Sequence, residues 1–169
     1  MKTLKTTLAI LIITLLSFSC SKSDDSSTPA TPTADYFLKA KIDGVQYQTD
    51  AAYRVLASNA DDRITITSIL SDGRNFEIIV DYPTGTGDYS FPAPITAGYF
   101  GSLKYGDSSA TNAIWGTNGC PDTTGTLTIT ALSMTEIAGT FSFTGKKTGN
   151  CAEAAKVITE GSFKSGITQ

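Results

Sequence analysis

The chain contains no histidine. That absence removes imidazole general bases, Ser-His-Asp and Cys-His nucleophile arrangements, and imidazole metal sites. Cysteine is scarce, with three in 169 residues and no Cys-x-x-Cys pair. Thiol redox catalysis and thiolate zinc sites therefore lack support. Charged residues make up only 17% of the chain and include no basic run. The clustered Lys and Arg that displace counterions from nucleic acid are missing, so no nucleic-acid partner is expected. No segment keeps a 3.6-residue apolar period over a helix-sized length. No apolar run reaches the about 20 residues needed to cross a bilayer as a helix. No cofactor motif occurs, and none is expected to bind.

What is present begins with a leader. Lys2 and Lys5 give a basic start, and residues 8–16 (LAILIITLL) form an almost unbroken apolar run. Ser17, Phe18, Ser19 and Cys20 follow. This is the layout of a secretory signal. Ser17 and Ser19 suit ordinary cleavage, which would leave Cys20 free; alternatively Cys20 is lipidated and becomes the mature N-terminus. The segment resembles a bacterial lipoprotein signal, except that Ser17 stands where such signals carry Leu three residues before the cysteine. The resemblance implies residues 1–19 as signal peptide and Cys20 as the lipid-attachment residue. One acyl chain anchors marginally, at ~0.8 kcal/mol per buried CH₂, and the three chains usual in such lipoproteins anchor stably. Residues 20–34 then form a lipidated cysteine and a Ser/Asp/Thr/Pro spacer without apolar periodicity. Such a spacer spans on the order of 20 Å as a coil. Lys22, Asp24 and Asp25 resemble the acidic surface-export tag of Bacteroidota lipoproteins. That likeness favours an outer-membrane lipoprotein on the cell surface over one on the periplasmic face.

Removal of residues 1–19 takes away Lys2 and Lys5, leaving 11 Lys+Arg against 16 Asp+Glu. Residues 35–169 are long enough for a single domain with one core. With Cys20 lipidated, Cys120 and Cys151 remain as a pair in a compartment that permits disulfides. A bridge between them closes a loop of about 30 residues and adds ~3–4 kcal/mol.

Period-2 alternation and turn residues dominate after residue 35. Tyr36, Leu38, Ala40 and Ile42 share one face, and Asp43-Gly44 is a favoured two-residue hairpin turn. Val45, Tyr47 and Thr49 should then pair with Ile42, Ala40 and Leu38. A second hairpin is expected around residues 71–74. An odd loop there, setting Leu70 against Phe76 and Ile66 against Val80, keeps the apolar faces together. Leu127, Ile129 and Ala131 should face the core opposite Thr126, Thr128 and Thr130. Past a turn near Met134, Ile137, Gly139, Phe141 and Phe143 continue the core face. Residues 157–163 read as a closing strand, and 87–91, 97–105 and 113–117 as further strands. Residues 151–156 are at most one helical turn. The pattern predicts an all-β fold, an antiparallel β-sandwich or barrel-like sandwich of roughly 8–10 strands.

The strand to Asp43-Gly44, Gly87-Asp88-Tyr89, GTLTIT at 125–130, GTFSF at 139–143 and ITEGSF at 158–163 resemble those of an uncharacterised family of small Bacteroidota lipoproteins. The resemblance implies an all-β domain on a lipid anchor and carries no activity or site residues.

Asp61-Asp62 and residues 71–75 (SDGRN) have the oxygen ligands Ca²⁺ wants but not their spacing, and read as ordinary turns. Glu77, Asp81, Asp88, Glu136 and Glu160 are the carboxylates a glycan hydrolase would need in pairs across a cleft. Tyr82, Tyr89, Phe91, Tyr99, Phe100, Tyr105 and Trp115 fall in or beside Gly/Pro-rich segments. Most should pack in the core, with Trp115 and Tyr82 the candidates for exposed ligand contacts. The reading that results is a non-enzymatic binding or accessory module at the cell envelope with a glycan or protein ligand. The alternatives are a purely structural envelope protein and a carboxylate-dependent hydrolase.

Overall fold

The computed structural model describes residues 36–49, 55–60, 62–70, 72–110 and 112–168. Cys20, the signal and the spacer lie outside these, as do Asp61 and Ser71. Eleven strands form among the described residues: β1 (Phe37–Ile42), β2 (Val45–Gln48), β3 (Val55–Ala60), β4 (Arg63–Ile69), β5 (Arg74–Asp81), β6 (Gly87–Phe91), β7 (Phe100–Asp107), β8 (Ala113–Gly116), β9 (Thr124–Leu132), β10 (Glu136–Lys147) and β11 (Lys156–Thr168). The fold is all-β, with one short 3₁₀ turn at Ser108–Ala110. The count exceeds the expected 8–10 partly because β3, whose sequence VLASNA alternates weakly, becomes a strand between β4 and β11.

Two layers face each other. Sheet A runs β2-β1-β11-β10-β9-β6 and sheet B runs β3-β4-β5-β7-β8. The long strands β10 and β11 leave sheet A at opposite ends. Lys146 and Lys147 of β10 pair with Gly116 and Trp115 of β8. Ile167 and Thr168 of β11 pair with Ala57 and Ser58 of β3. That last ladder is parallel, so the sheet is mixed and not wholly antiparallel as expected. Together these joins close β3-β4-β5-β7-β8-β10-β11 into a ring, with β1-β2 and β9-β6 as extensions of sheet A. Sandwich and barrel are thus the same object here: two layers sealed at both corners by strands that change sheet.

The first hairpin has the expected register, with Ile42 opposite Val45 and Ala40 opposite Tyr47. Asp43 and Gly44 both have positive φ (49° and 83°), the geometry of a type I′ turn. The second hairpin has an odd loop, but its pairs are Ser68 with Phe76 and Ile64 with Val80. The turn is two residues tighter than expected, because Leu70 N–H bonds the Arg74 carbonyl (2.9 Å) around a three-residue loop with Gly73 at φ 85°. Ser68 then faces inward, where its Oγ meets the Tyr47 hydroxyl at 3.2 Å. Ala131 is a further correction. The β9–β10 register slips between Ile129 and Ala131, and Ala131 turns outward. Residues 151–156 form a turn and the start of β11 with no helix.

Alternate residues of both sheets fill the core, including Leu38, Ile66, Ile78, Leu103, Leu127, Ile137 and Phe163. Phe76 is its aromatic hub, with ring centroids of Tyr47, Tyr105, Phe141 and Phe143 at 4.8, 5.4, 5.5 and 6.4 Å. Two inward glycines seat rings that a side chain would displace. A Cβ on Gly139 would lie 2.8 Å from the Phe163 ring, and one on Gly161 2.8 Å from that of Phe141. The Cys120–Cys151 disulfide is present, with Cα atoms 5.5 Å apart, and ties the loop after β8 to the turn between β10 and β11.

Candidate functional site

Registered pairing places Ala60, Arg63, Asp81 and Phe100 in one row across β3, β4, β5 and β7. The row lies at one end of the outer face of sheet B. Arg63 Nε donates to Asp81 Oδ1 at 2.5 Å. That bond and the Asp81 charge hold the guanidinium above its ordinary pKa. Ser58 and Thr65, paired across β3 and β4, add two hydroxyls one step further in.

Two aromatic rings flank this row. Alternation alone would turn Tyr82 inward after the outward Asp81. Its backbone instead adopts a left-handed φ of 55°, and its N–H donates to the Asp62 carbonyl at 2.6 Å. The ring is 58% exposed as a result. A bulky residue with positive φ is an outlier that costs on the order of 1–2 kcal/mol. Phe100 is 59% exposed and opens β7. Its neighbours fix that orientation. Tyr99 packs edge-on against Tyr89 at 4.9 Å, and its hydroxyl accepts a hydrogen bond from Ser90 N–H at 2.7 Å. On the other side a Cβ on Gly101 would lie 2.0 Å from the Ile79 carbonyl oxygen, so only glycine permits that approach. Tyr82, Phe100, Arg63, Asp81, Thr65 and Ser58 line a shallow cleft of about 530 Å³, within the usual range for small-ligand sites.

Of the two aromatic residues expected to be exposed, Tyr82 is, and Trp115 is not. Trp115 is 5% exposed and points into the ring. Tyr105 stacks on it at 5.9 Å, and Lys147 and Lys156 lie 5.8 and 5.6 Å from its ring centre. Lys147 is held by Glu153 and Lys156 by Asp43, each at 2.7 Å. Among the described residues Trp115 Nε1 has no hydrogen-bond partner. Tyr89, Phe91 and Tyr105 are also core residues, and Tyr99 packs against the core from its rim.

The carboxylates are dispersed. Glu77 pairs with Lys104, Glu136 with Lys164 and Glu160 with Lys41. Asp88 accepts a bond from Thr128 Oγ1 at 2.6 Å. Asp81 lies in the cleft, committed to Arg63. Asp72 serves its own turn: its carboxylate accepts the Arg74 N–H and pairs with the Arg74 guanidinium, and these contacts hold it below its ordinary pKa. Among the described residues no three His, Cys, Asp or Glu side chains are grouped as metal ligands.

Sheet A presents a different exterior. Ser90, Thr126, Ser142, Thr144 and Thr159 line a shallow hydroxyl groove. Two of these groups, Thr126 and Ser142, meet hydroxyl to hydroxyl at 3.1 Å.

Arg63, Asp81 and Phe100 are not evident as a group from sequence. Arg63 and Asp81 close the two alternating runs of one hairpin, and only the three-residue loop sets them opposite each other. The chain matches no protein-family model, no curated protein and no solved structure.

Proposed function

We propose that the chain is an exported lipoprotein, anchored through Cys20 in the outer membrane and displayed on the cell surface. Its β domain is a non-enzymatic binding or accessory module that takes its ligand in the sheet B cleft. The observation that carries this reading is the pair of exposed rings, Tyr82 and Phe100, flanking the Arg63–Asp81 ion pair. The other aromatic side chains on the seven strands of the closed ring (Phe76, Tyr105, Trp115, Phe141, Phe143 and Phe163) are buried, whereas these two are uncovered at one cleft.

The hydrolase alternative needs two carboxylates facing across a cleft, and the cleft offers Asp81 already bound to Arg63. A purely structural role is favoured by the exterior of sheet A, where the Thr126 and Ser142 hydroxyls bond each other.

Two measurements test the proposal. A palmitate analogue should label the wild type and not Cys20→Ala; equal labelling removes the anchor. Purified wild-type protein should bind isolated cell envelopes saturably, and the Tyr82→Ala/Phe100→Ala double variant should not. Equal binding by both removes the cleft from the function.

A further inference from the structure

The cleft supports a narrower assignment, which rests on the binding-module reading above. We propose that it takes an uncharged pyranose unit of a polysaccharide.

Three features select that chemistry. The Arg63–Asp81 pair is electrically balanced. An anionic ligand reaching Arg63 would sit beside the Asp81 carboxylate, and a cationic ligand reaching Asp81 would meet the guanidinium. A neutral polyol meets neither penalty. It can accept from the guanidinium N–H groups not used by Asp81 and donate to the carboxylate's remaining lone pairs. The Ser58 and Thr65 hydroxyls add groups that donate or accept as needed.

The second feature is the pair of rings. A pyranose has a C–H face as well as hydroxyl edges, and Phe100 and Tyr82 supply apolar surfaces next to the polar row. Backbone geometry turns both side chains outward, Tyr82 through its left-handed φ and Phe100 between the inward-packed Tyr99 and Gly101.

The third feature argues against a peptide. Arg63 and Asp81 lie on β4 and β5, each of which is paired on both sides at this point. The polar pair thus sits on a sheet face and offers no strand edge for backbone pairing, and the cleft is shallow where a peptide anchor wants a deep pocket.

The test is affinity electrophoresis of the full chain in a sugar-free polyoxyethylene detergent. The gels contain a neutral β-glucan, α-glucan, galactomannan or arabinogalactan, or the anionic polymers alginate and polygalacturonate. At least one neutral polymer should retard the wild type, and the anionic ones should not. Phe100→Ala and Tyr82→Ala should each weaken retardation about 5–10-fold, and Tyr82→Phe should stay within about 2-fold. Unchanged melting temperatures show that these surface variants remain folded. The assignment is overturned if no neutral polymer retards the wild type, or if retardation survives in the double variant. Retention of an anionic polymer or a protein through the same two rings sinks the neutral sugar and keeps the binding module. Loss of cleft-dependent envelope binding as well sinks both.

Discussion

Trp115 and Tyr82 sit at different places on sheet B, each beside a residue that usually marks a turn, Gly116 and Pro83. Trp115 is enclosed: Tyr105 stacks on it, and Lys147 and Lys156 approach its ring. The disulfide tethers the chain that carries those lysines. Tyr82 is turned to solvent by a strained backbone and has Phe100 as its exposed companion. The contrast shows that an aromatic residue's own sequence neighbours do not decide between core and site. The decision comes from whichever distant strand covers it. At Trp115 the end of β10 and the start of β11 arrive; among the described residues no strand covers Tyr82.

The comparison can be broken most forcefully at the enclosed end. Trp115→Ala removes the largest ring there and should cost about 3–5 kcal/mol in urea unfolding. A loss below about 1 kcal/mol would mean that the corner is not packed. The Cys120→Ser/Cys151→Ser double variant should lose about 3–4 kcal/mol, as a loop with a sequence separation of 31 residues implies. Trp115 is the chain's single tryptophan, so its fluorescence reports that corner directly. Emission should shift to the red when the disulfide is removed.

An alkaline titration probes the same side. Burial, then the Asp107 charge and hydrogen bond, push the Tyr105 hydroxyl well above its ordinary pKa, and burial also raises that of Tyr47. The folded state thus favours the protonated phenols. Their contribution is full below about pH 10 and declines as the pH rises past it, by on the order of 1 kcal/mol per pH unit for each group. Tyr105→Phe should flatten the decline. An unchanged slope would remove the burial argument.

Smaller effects belong to the open end. Tyr82→Gly relieves the left-handed strain and should raise stability by about 0.5–1 kcal/mol while weakening ligand binding. Phe100→Ala should change stability by no more than about 0.5 kcal/mol. A large loss at Phe100 would mean that the ring supports the fold, and the contrast with Trp115 would collapse.

These two residues also show what was legible in the chain. The β1–β2 hairpin was readable because Asp43-Gly44 specifies its turn locally. The parity of the β4–β5 loop followed from apolar alternation, but its length did not, because the observed register turns the polar Ser68 inward, where it meets the Tyr47 hydroxyl on another sheet. The enclosure of Trp115 was hidden because its cover comes from β10, β11 and a side chain pinned by Asp43. The outward turn of Tyr82 was hidden because nothing in its sequence marks a left-handed tyrosine. Ring closure was beyond reach for the same reason: it hangs on two-residue ladders at the tips of β10 and β11.

Strand β11 pairs with β1, β3 and β10, and it follows all ten other strands in chain order. A ribosome or a secretion channel delivers its residues after every surface it must join. Until then the hairpins behind it expose their apolar faces, and the register from Phe37 to Lys164 closes one of the longest loops in the molecule. Such non-local closure is slow. Completion of the ring therefore waits on the last strand, whose pairings with β1, β3 and β10 join both layers.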